Sequence, residues 1–176
     1  VDMLKKYDIP FLGLKEGDHE FEFYADGEFF ESFETSEVSE GKVKITVLLE
    51  KSIRLMILNF TIQGNILMMC DRCLDDFGLP VDFKGKLFLK YGEGDHETPD
   101  DVVFLNENDH TFNIAQYIFE SVHLALPYKR IHPNDENGNT TCNNKMLKKL
   151  EELSIQNTNH ENYDSRWDQL KNITNN

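Results

Sequence analysis

The sequence has no apolar run approaching the roughly 18 residues that a membrane span needs, and its opening VDMLKKYDIPFLGL lacks the apolar centre of a signal peptide. Cysteine is scarce. Three residues, an odd number, do not make a disulfide framework. No Gly-rich loop is present to cradle a phosphate, and no internal repeat points to a solenoid. Cations are short as well, with 18 Lys and Arg against 32 Asp and Glu, for a net charge of −14. A surface of that sign repels a nucleic-acid backbone and has no surplus of cations with which to release counterions. These absences predict a soluble protein of a reducing compartment, with no membrane span. The acidity suits a basic protein partner, or it serves solubility alone. A chain of 176 residues suffices for one domain with a sizeable core.

The stretch on which the chain turns is Cys70-Asp71-Arg72-Cys73. Two cysteines at this spacing form half of a tetrahedral thiolate site, or a redox dithiol. The surrounding pattern is β. In HEFEFYAD, Phe21, Phe23 and Ala25 alternate with polar neighbours, as in a half-buried strand. Asp26-Gly27 then turns the chain into a second strand of a hairpin or into a short helix carrying Phe29, Phe30 and Phe33. Val43, Ile45, Val47 and Leu49 share one parity, which predicts a strand with one wet face. SIRLMILNFTIQG is apolar on both parities, as in a central strand or one covered on both sides. Gly64-Asn65 reads as a turn, which makes the region an antiparallel meander. Strand periodicity resumes over LPVDFKGKLFLKY, with Gly85 as a candidate bulge. CDRC therefore sits at the tip between two strands.

Residues 92–101 form an acidic loop without an apolar side chain, followed by a short strand candidate, VVFL. Asn113 opens a helix with Gln116 in the capping-box position, and Pro127 ends it. A polar connection carrying His132 and Cys142 leads to a short amphipathic helix, NKMLKKLEEL. A polar, Asn-rich tether and a last short helix, with Trp167 and Leu170 as docking residues, close the chain. The predicted fold class is α+β. It comprises an antiparallel meander sheet, open or curled to a partial barrel, with one main helix and short C-terminal helices. Residues 1–153 form a single domain with the CxxC knuckle, and residues 154–176 form the tether and final helix.

Several chemistries fit these residues. Cys70, Cys73, His132 and Cys142 together make a Cys3His set suited to structural zinc, with Arg72 offsetting the surplus negative charge. The same cysteines could instead be packed and idle, or Cys70 and Cys73 could form a thiol-disulfide oxidoreductase pair. Against the last, redox CxxC motifs sit at a helix N-terminus in a βαβ setting, and the pattern here is meander strands. A catalytic pair of Cys142 with His123 or His132 lacks any nucleophile context. Tyr128, Lys129, Arg130 and His132 form a compact basic-aromatic patch that could contact RNA directly. Candidate partner-binding residues are thus Arg72, Lys129 and Arg130, and, on the acidic loop, Asp95, Glu97, Asp100 and Asp101.

The order of motifs resembles a known family. CDRCL follows an antiparallel run. The segment ESVHLALP places Glu120, Leu124, Leu126 and Pro127 before a polar loop with His and Cys, and DSRWDQLK lies near the end. This order resembles the YceD family, the large ribosomal RNA subunit accumulation proteins, in the form found in the Bacteroidetes group. The resemblance implies a non-enzymatic, cytoplasmic factor supporting accumulation of large-subunit (23S) rRNA, with no small-molecule substrate. It also implies a basic large-subunit ribosomal protein or pre-ribosomal particle as partner. In the family a CxRC pair is joined by Cys or His after the LP. Here those positions are Cys70, Cys73, His132 and Cys142. Relatives with further cysteines in the second loop reach four thiolates, whereas this chain requires His132. Ser165 stands where the family more often has a proline.

Overall fold

The computed structural model describes residues 3–38, 40–93 and 99–154. Five strands form one sheet in the order β2-β3-β4-β5-β6: β2 (Gly17–Asp26), β3 (Glu40–Lys51), β4 (Leu55–Met69), β5 (Asp76–Tyr91) and β6 (Val102–Leu105). The first four are antiparallel in sequence order, and β6 joins β5 in parallel. A two-stranded ribbon pairs β1 (Asp8–Pro10) with β7 (Thr111–Asn113). The helices are α1 (Gly27–Glu31), α2 (Ala115–Leu124) and α3 (Asn144–Leu153). The class is α+β, with an open, mostly antiparallel sheet and no closed barrel. The chain divides after Cys142 into two compact units, and α3 belongs to the second. The predicted docking residues Trp167 and Leu170 lie outside the described residues.

The alternation of β3 is realised as expected: Val43, Ile45, Val47 and Leu49 are each 0 % exposed. Burying such side chains contributes about 1.5–3 kcal/mol apiece, which fixes the register because a one-residue slip would turn the whole row to solvent. β4 presents Met56, Leu58, Phe60, Ile62, Ile66 and Met68 to the same core. Its other face is only partly covered, with Leu55 and Ile57 half-buried and Ile53, before the strand, 77 % exposed. Of the two expectations for this stretch, a central strand or one covered on both sides, the first holds: β4 is the middle strand of the five.

Asp26 ends β2 and starts α1, where its carboxylate accepts the Phe29 N–H at 3.3 Å. This favours the helix over the hairpin, since Phe29 and Phe30 then enter the core beside Tyr7. The first residues are not a bare lead-in. A 3-10 turn (Met3–Tyr7) and β1 place Tyr7, Ile9 and Phe11 in the core, and the Tyr7 hydroxyl donates to the Tyr24 carbonyl at 2.8 Å. α2 is opened by Asn113, whose side-chain oxygen accepts the Ala115 N–H at 3.0 Å. Gln116 does not close a capping box, because its amide donates to Glu120 one turn on, at 2.6 Å.

Gly64-Asn65 is not a turn. β4 runs straight through it, paired with β3 at Val43 and with β5 at Val81. Glycine is required there for close approach: a Cβ would strike the Lys42 carbonyl oxygen and lie 2.7 Å from Val43 Cα. Nor is Gly85 a bulge. Its pairing with Phe60 is regular, and its missing side chain makes room for Tyr117 of α2, whose ring lies tilted against that of Phe60 with centroids 4.3 Å apart.

These surroundings predict a graded series. Gly64→Ala meets backbone on the neighbouring strand and should cost about 2–3 kcal/mol, at the upper end of overpacking. Gly85→Ala meets mobile side-chain ends, chiefly the Tyr117 hydroxyl, and should cost about 1 kcal/mol. Urea-unfolding midpoints of the two variants, measured at equal slope, check the order.

Candidate metal centre

The loop 70–75 joins β4 to β5 beyond their last pair, Met69 with Asp76. The buried parity of β4 runs Ile66, Met68 and then Cys70, so strand alternation alone directs the first thiol inward. The Cys70 N–H donates to the Asp75 carbonyl at 2.9 Å, and the Leu74 N–H returns to the Cys70 carbonyl at 3.0 Å. Leu74 closes the turn with φ 64°, a left-handed conformation rare for a branched side chain. This tight closure brings Cys73 back under Cys70, and both side chains are 0 % exposed.

The second loop is tied to the first by backbone. The Asp71 N–H donates to the Arg130 carbonyl at 2.7 Å, and the Arg130 N–H donates to the Asp71 carboxylate at 2.8 Å. The Arg130 side chain pairs with Glu37 and lies 3.6 Å from the second Asp71 oxygen. His132 follows, its ring 4.9 Å from that of Phe77. Asn134 and Thr140 form an isolated antiparallel bridge, and the Thr141 hydroxyl donates to the Pro133 carbonyl at 2.7 Å. These contacts fold the loop back so that Cys142 returns beside His132.

The four residues singled out by their chemistry therefore converge. The donor atoms of Cys70, Cys73, His132 and Cys142 all lie within 4.8 Å of one another, and the group could hold a metal ion. Cys70 Sγ is 3.9 Å from Cys142 Sγ, and His132 Nδ1 lies 3.4 Å from Cys73 Sγ and 3.7 Å from Cys142 Sγ. Burial alone would raise the Cys70 thiol. The backbone N–H groups of Cys73 and Arg72, with the His132 ring and backbone, outweigh it and bring Cys70 down to about 6. The shift favours the thiolate, which is the form that ligates a metal.

The other candidates are dispersed. His123 is outside the cluster, its Nδ1 within 2.8 Å of the Phe119 carbonyl on its own helix. Tyr128, at 98 % exposure, and Lys129 remain exposed, but Arg130 and His132 are engaged within the fold, which breaks up the four-residue basic patch. Arg72 is exposed on the knuckle, and Asp100 and Asp101 lie in the turn before β6. Asp95 and Glu97 are outside the described residues. Sequence reasoning missed Asp71 and Glu37 as anchors of the second loop. Asp71 lies inside the CDRC motif, so its position was the available signal. Nothing local marks Glu37.

An open α+β sheet carrying three sulfurs and an imidazole at one hairpin tip defines a small protein in which a Cys/His cluster gathers two distant loops. The chain belongs to the YceD family, described as large ribosomal RNA subunit accumulation protein, whose sequence profile matches residues 58–174. That span begins within β4 and includes all four cluster residues. No curated protein and no solved structure matches the chain. Among the described residues no helix is long and apolar enough to cross a membrane.

Asp71→Ala should free the Arg130 end of the second loop. Loss of one charge-assisted bond to a backbone N–H costs about 1.5–3 kcal/mol. Amide exchange at Arg130 should accelerate about 10-fold or more, since 1.4 kcal/mol is one decade. Amides at the centre of β3, such as Ile45, should keep their protection.

Proposed function

We propose that the chain is a non-enzymatic, cytoplasmic ribosome biogenesis factor. It supports accumulation of large-subunit rRNA by binding a basic ribosomal protein or a pre-ribosomal particle, and it is braced by one structural zinc on Cys70, Cys73, His132 and Cys142. The observation that carries the reading is this Cys3His cluster within a chain of the YceD family. A tetrahedral site with Zn–S of about 2.3 Å and Zn–N of about 2.0–2.1 Å has S···S edges of about 3.8 Å and S···N edges of about 3.5 Å. Three of the six separations, 3.9, 3.4 and 3.7 Å, are close to these edges, and all six are within 4.8 Å. Four protein ligands leave no open position for a substrate, as in structural rather than catalytic sites. Zinc there would contribute folding energy, and the chain's own groups would hold the loop that bears Tyr128 and Lys129.

The oxidoreductase alternative is weakened by burial. Disulfide exchange needs an accessible thiolate, and Cys70 and Cys73 are both 0 % exposed. Direct RNA binding keeps one favourable observation, the exposed Tyr128 beside Lys129, with Arg72 on the knuckle. Against it stands the charge of −14.

Protein purified under reducing conditions should contain about one zinc per chain by elemental analysis, as one closed site requires. Cys73→Ser should lower that content and the thermal midpoint together, because site formation is coupled to folding. Metal-free protein with an unchanged midpoint overturns the zinc assignment.

Titration against basic large-subunit ribosomal proteins and against rRNA fragments, at two salt concentrations, tests the partner. Binding to a basic protein that weakens with salt is expected, as is slower association when Asp95, Glu97, Asp100 and Asp101 are reversed in charge. Tight, steeply salt-dependent binding to naked rRNA with none to the proteins overturns the reading. It shifts the contact to Arg72, Lys129 and the second loop.

A further inference from the structure

At the end of the sheet nearest CDRC, a cleft of about 770 Å³ opens between α1 and the start of β3. Its size is that of a binding site, in the range of about 300–1,000 Å³. The wall across the sheet is the row Glu40, Leu67 and Gly78, contributed by three adjacent strands. β2 stops pairing at Asp26 opposite Lys42, and the chain leaves as α1. Glu40 and Gly41 of β3 consequently pair with β4 on one side, while the other edge has no strand partner among the described residues. The rim is acidic. Glu28 and Glu31 stand on α1 and Glu40 on β3, and none of the three forms an ion pair among the described residues. Asp26 also lines the cleft but caps α1, and Lys42 is the one cation of its lining among the described residues.

We infer that this cleft binds an extended, arginine- or lysine-rich segment of a protein partner. The inference rests on the reading of the chain as a binder of a basic protein and assigns the surface that does it. Three features match this occupant. An open strand edge offers main-chain hydrogen bonds to an added strand. The Leu67 wall accepts the aliphatic stems of long cationic side chains. The rim carboxylates stand where the charged heads emerge, and charge complementarity of this kind selects the partner and speeds encounter. A phosphate backbone would meet Glu28, Glu31 and Glu40 with repulsion.

Gly78 supplies an isoelectric test. Gly78 lines the cleft and a Cβ there meets nothing within 4 Å, so the position tolerates a side chain, and Gly78→Trp is the variant chosen to obstruct the cleft. The probes are a fluorescent ten-residue peptide with arginine at alternate positions, its glutamine counterpart, and a single-stranded RNA of similar length. Wild-type protein should bind the arginine peptide about 10-fold or more tighter than the glutamine peptide, and the RNA not measurably, as a charge-matched site requires. Gly78→Trp should weaken peptide binding about 10-fold with an unchanged thermal midpoint, and Glu31→Lys with Glu40→Lys should abolish it. Glu107→Lys, away from the cleft, should stay within about twofold, since a remote exposed charge is screened.

Equal binding by Gly78→Trp and wild type overturns the inference, as does an effect of Glu107→Lys equal to that of the cleft reversals. Binding of the RNA in place of the peptide overturns it too. If full-length basic large-subunit proteins bind wild type and Gly78→Trp alike, the cleft is wrong and the broader reading stands. If neither they nor the peptide bind wild type, both fall.

Discussion

Cys70 and Cys142 are separated by 72 residues in sequence, and their sulfurs by 3.9 Å. Closing a flexible loop of that length costs on the order of 4 kcal/mol in chain entropy beyond a constant. Cys142 ends the first compact unit, so the cluster meets this cost where the unit's chain would otherwise be least constrained. The sheet meets much of the rest. β3, β4 and β5 form continuous antiparallel ladders, so the β4–β5 hairpin arrives at residue 70 as a stiff arm. The reciprocal backbone pair of Asp71 and Arg130 then fixes the second loop at one point. The short excursion from His132 to Cys142 is folded back by its own contacts, the Asn134–Thr140 bridge and the Thr141 hydroxyl on the Pro133 carbonyl, which leaves the cluster little more to close.

Strand parity converts this scaffold into chemistry. Ile66, Met68 and Cys70 follow one another on the buried face, so the first thiol points inward for the same reason as the two hydrophobic side chains before it. A buried thiolate would be costly alone. Here backbone N–H groups of the tight turn and the His132 ring lie close to it, which is why Cys70 falls to about 6 despite burial. The left-handed Leu74 makes that turn tight enough for its amides to face the sulfur. Local strain at one residue thus supports a donor set gathered from distant parts of the chain.

Much of this was legible before the structure because chemistry-bearing residues are few. With three cysteines in the chain, a fourth donor had to come from another residue type, and His132 lies between Pro127 and Cys142. The row Val43 to Leu49 declared its inner face through period-two alternation, whereas the β4 stretch, apolar on both parities, did not say which of its faces would be buried. Gly64-Asn65 misled because turn dipeptides are local signals, whereas what decides there is Lys42 and Val43 on the adjoining strand. The parallel partner of β5 was hidden for a similar reason, since β6 is four residues long and pairing is not encoded in its own pattern. Arg130 was read as a surface cation, and its two carboxylate partners lie 59 and 93 residues away in sequence.

The assignment of Arg130 bears on how an acidic protein serves rRNA. Of the cations near the hairpin tip, the one flanked by Asp71 and Glu37 is neutralised within the fold, which leaves Arg72 and Lys129 exposed on the two loops. Two cations release too few counterions for tight binding to a phosphate backbone, because affinity scales with the number of phosphates neutralised. The carboxylates of the cleft rim, by contrast, are exposed and unpaired among the described residues at the same end of the sheet. On the function proposed here, the chain would reach large-subunit rRNA through a basic protein held at that end. Its negative charge then repels the phosphate backbone and keeps it from competing with that protein for RNA, while the partner's cations that the carboxylates cover return to the phosphates once the partner leaves.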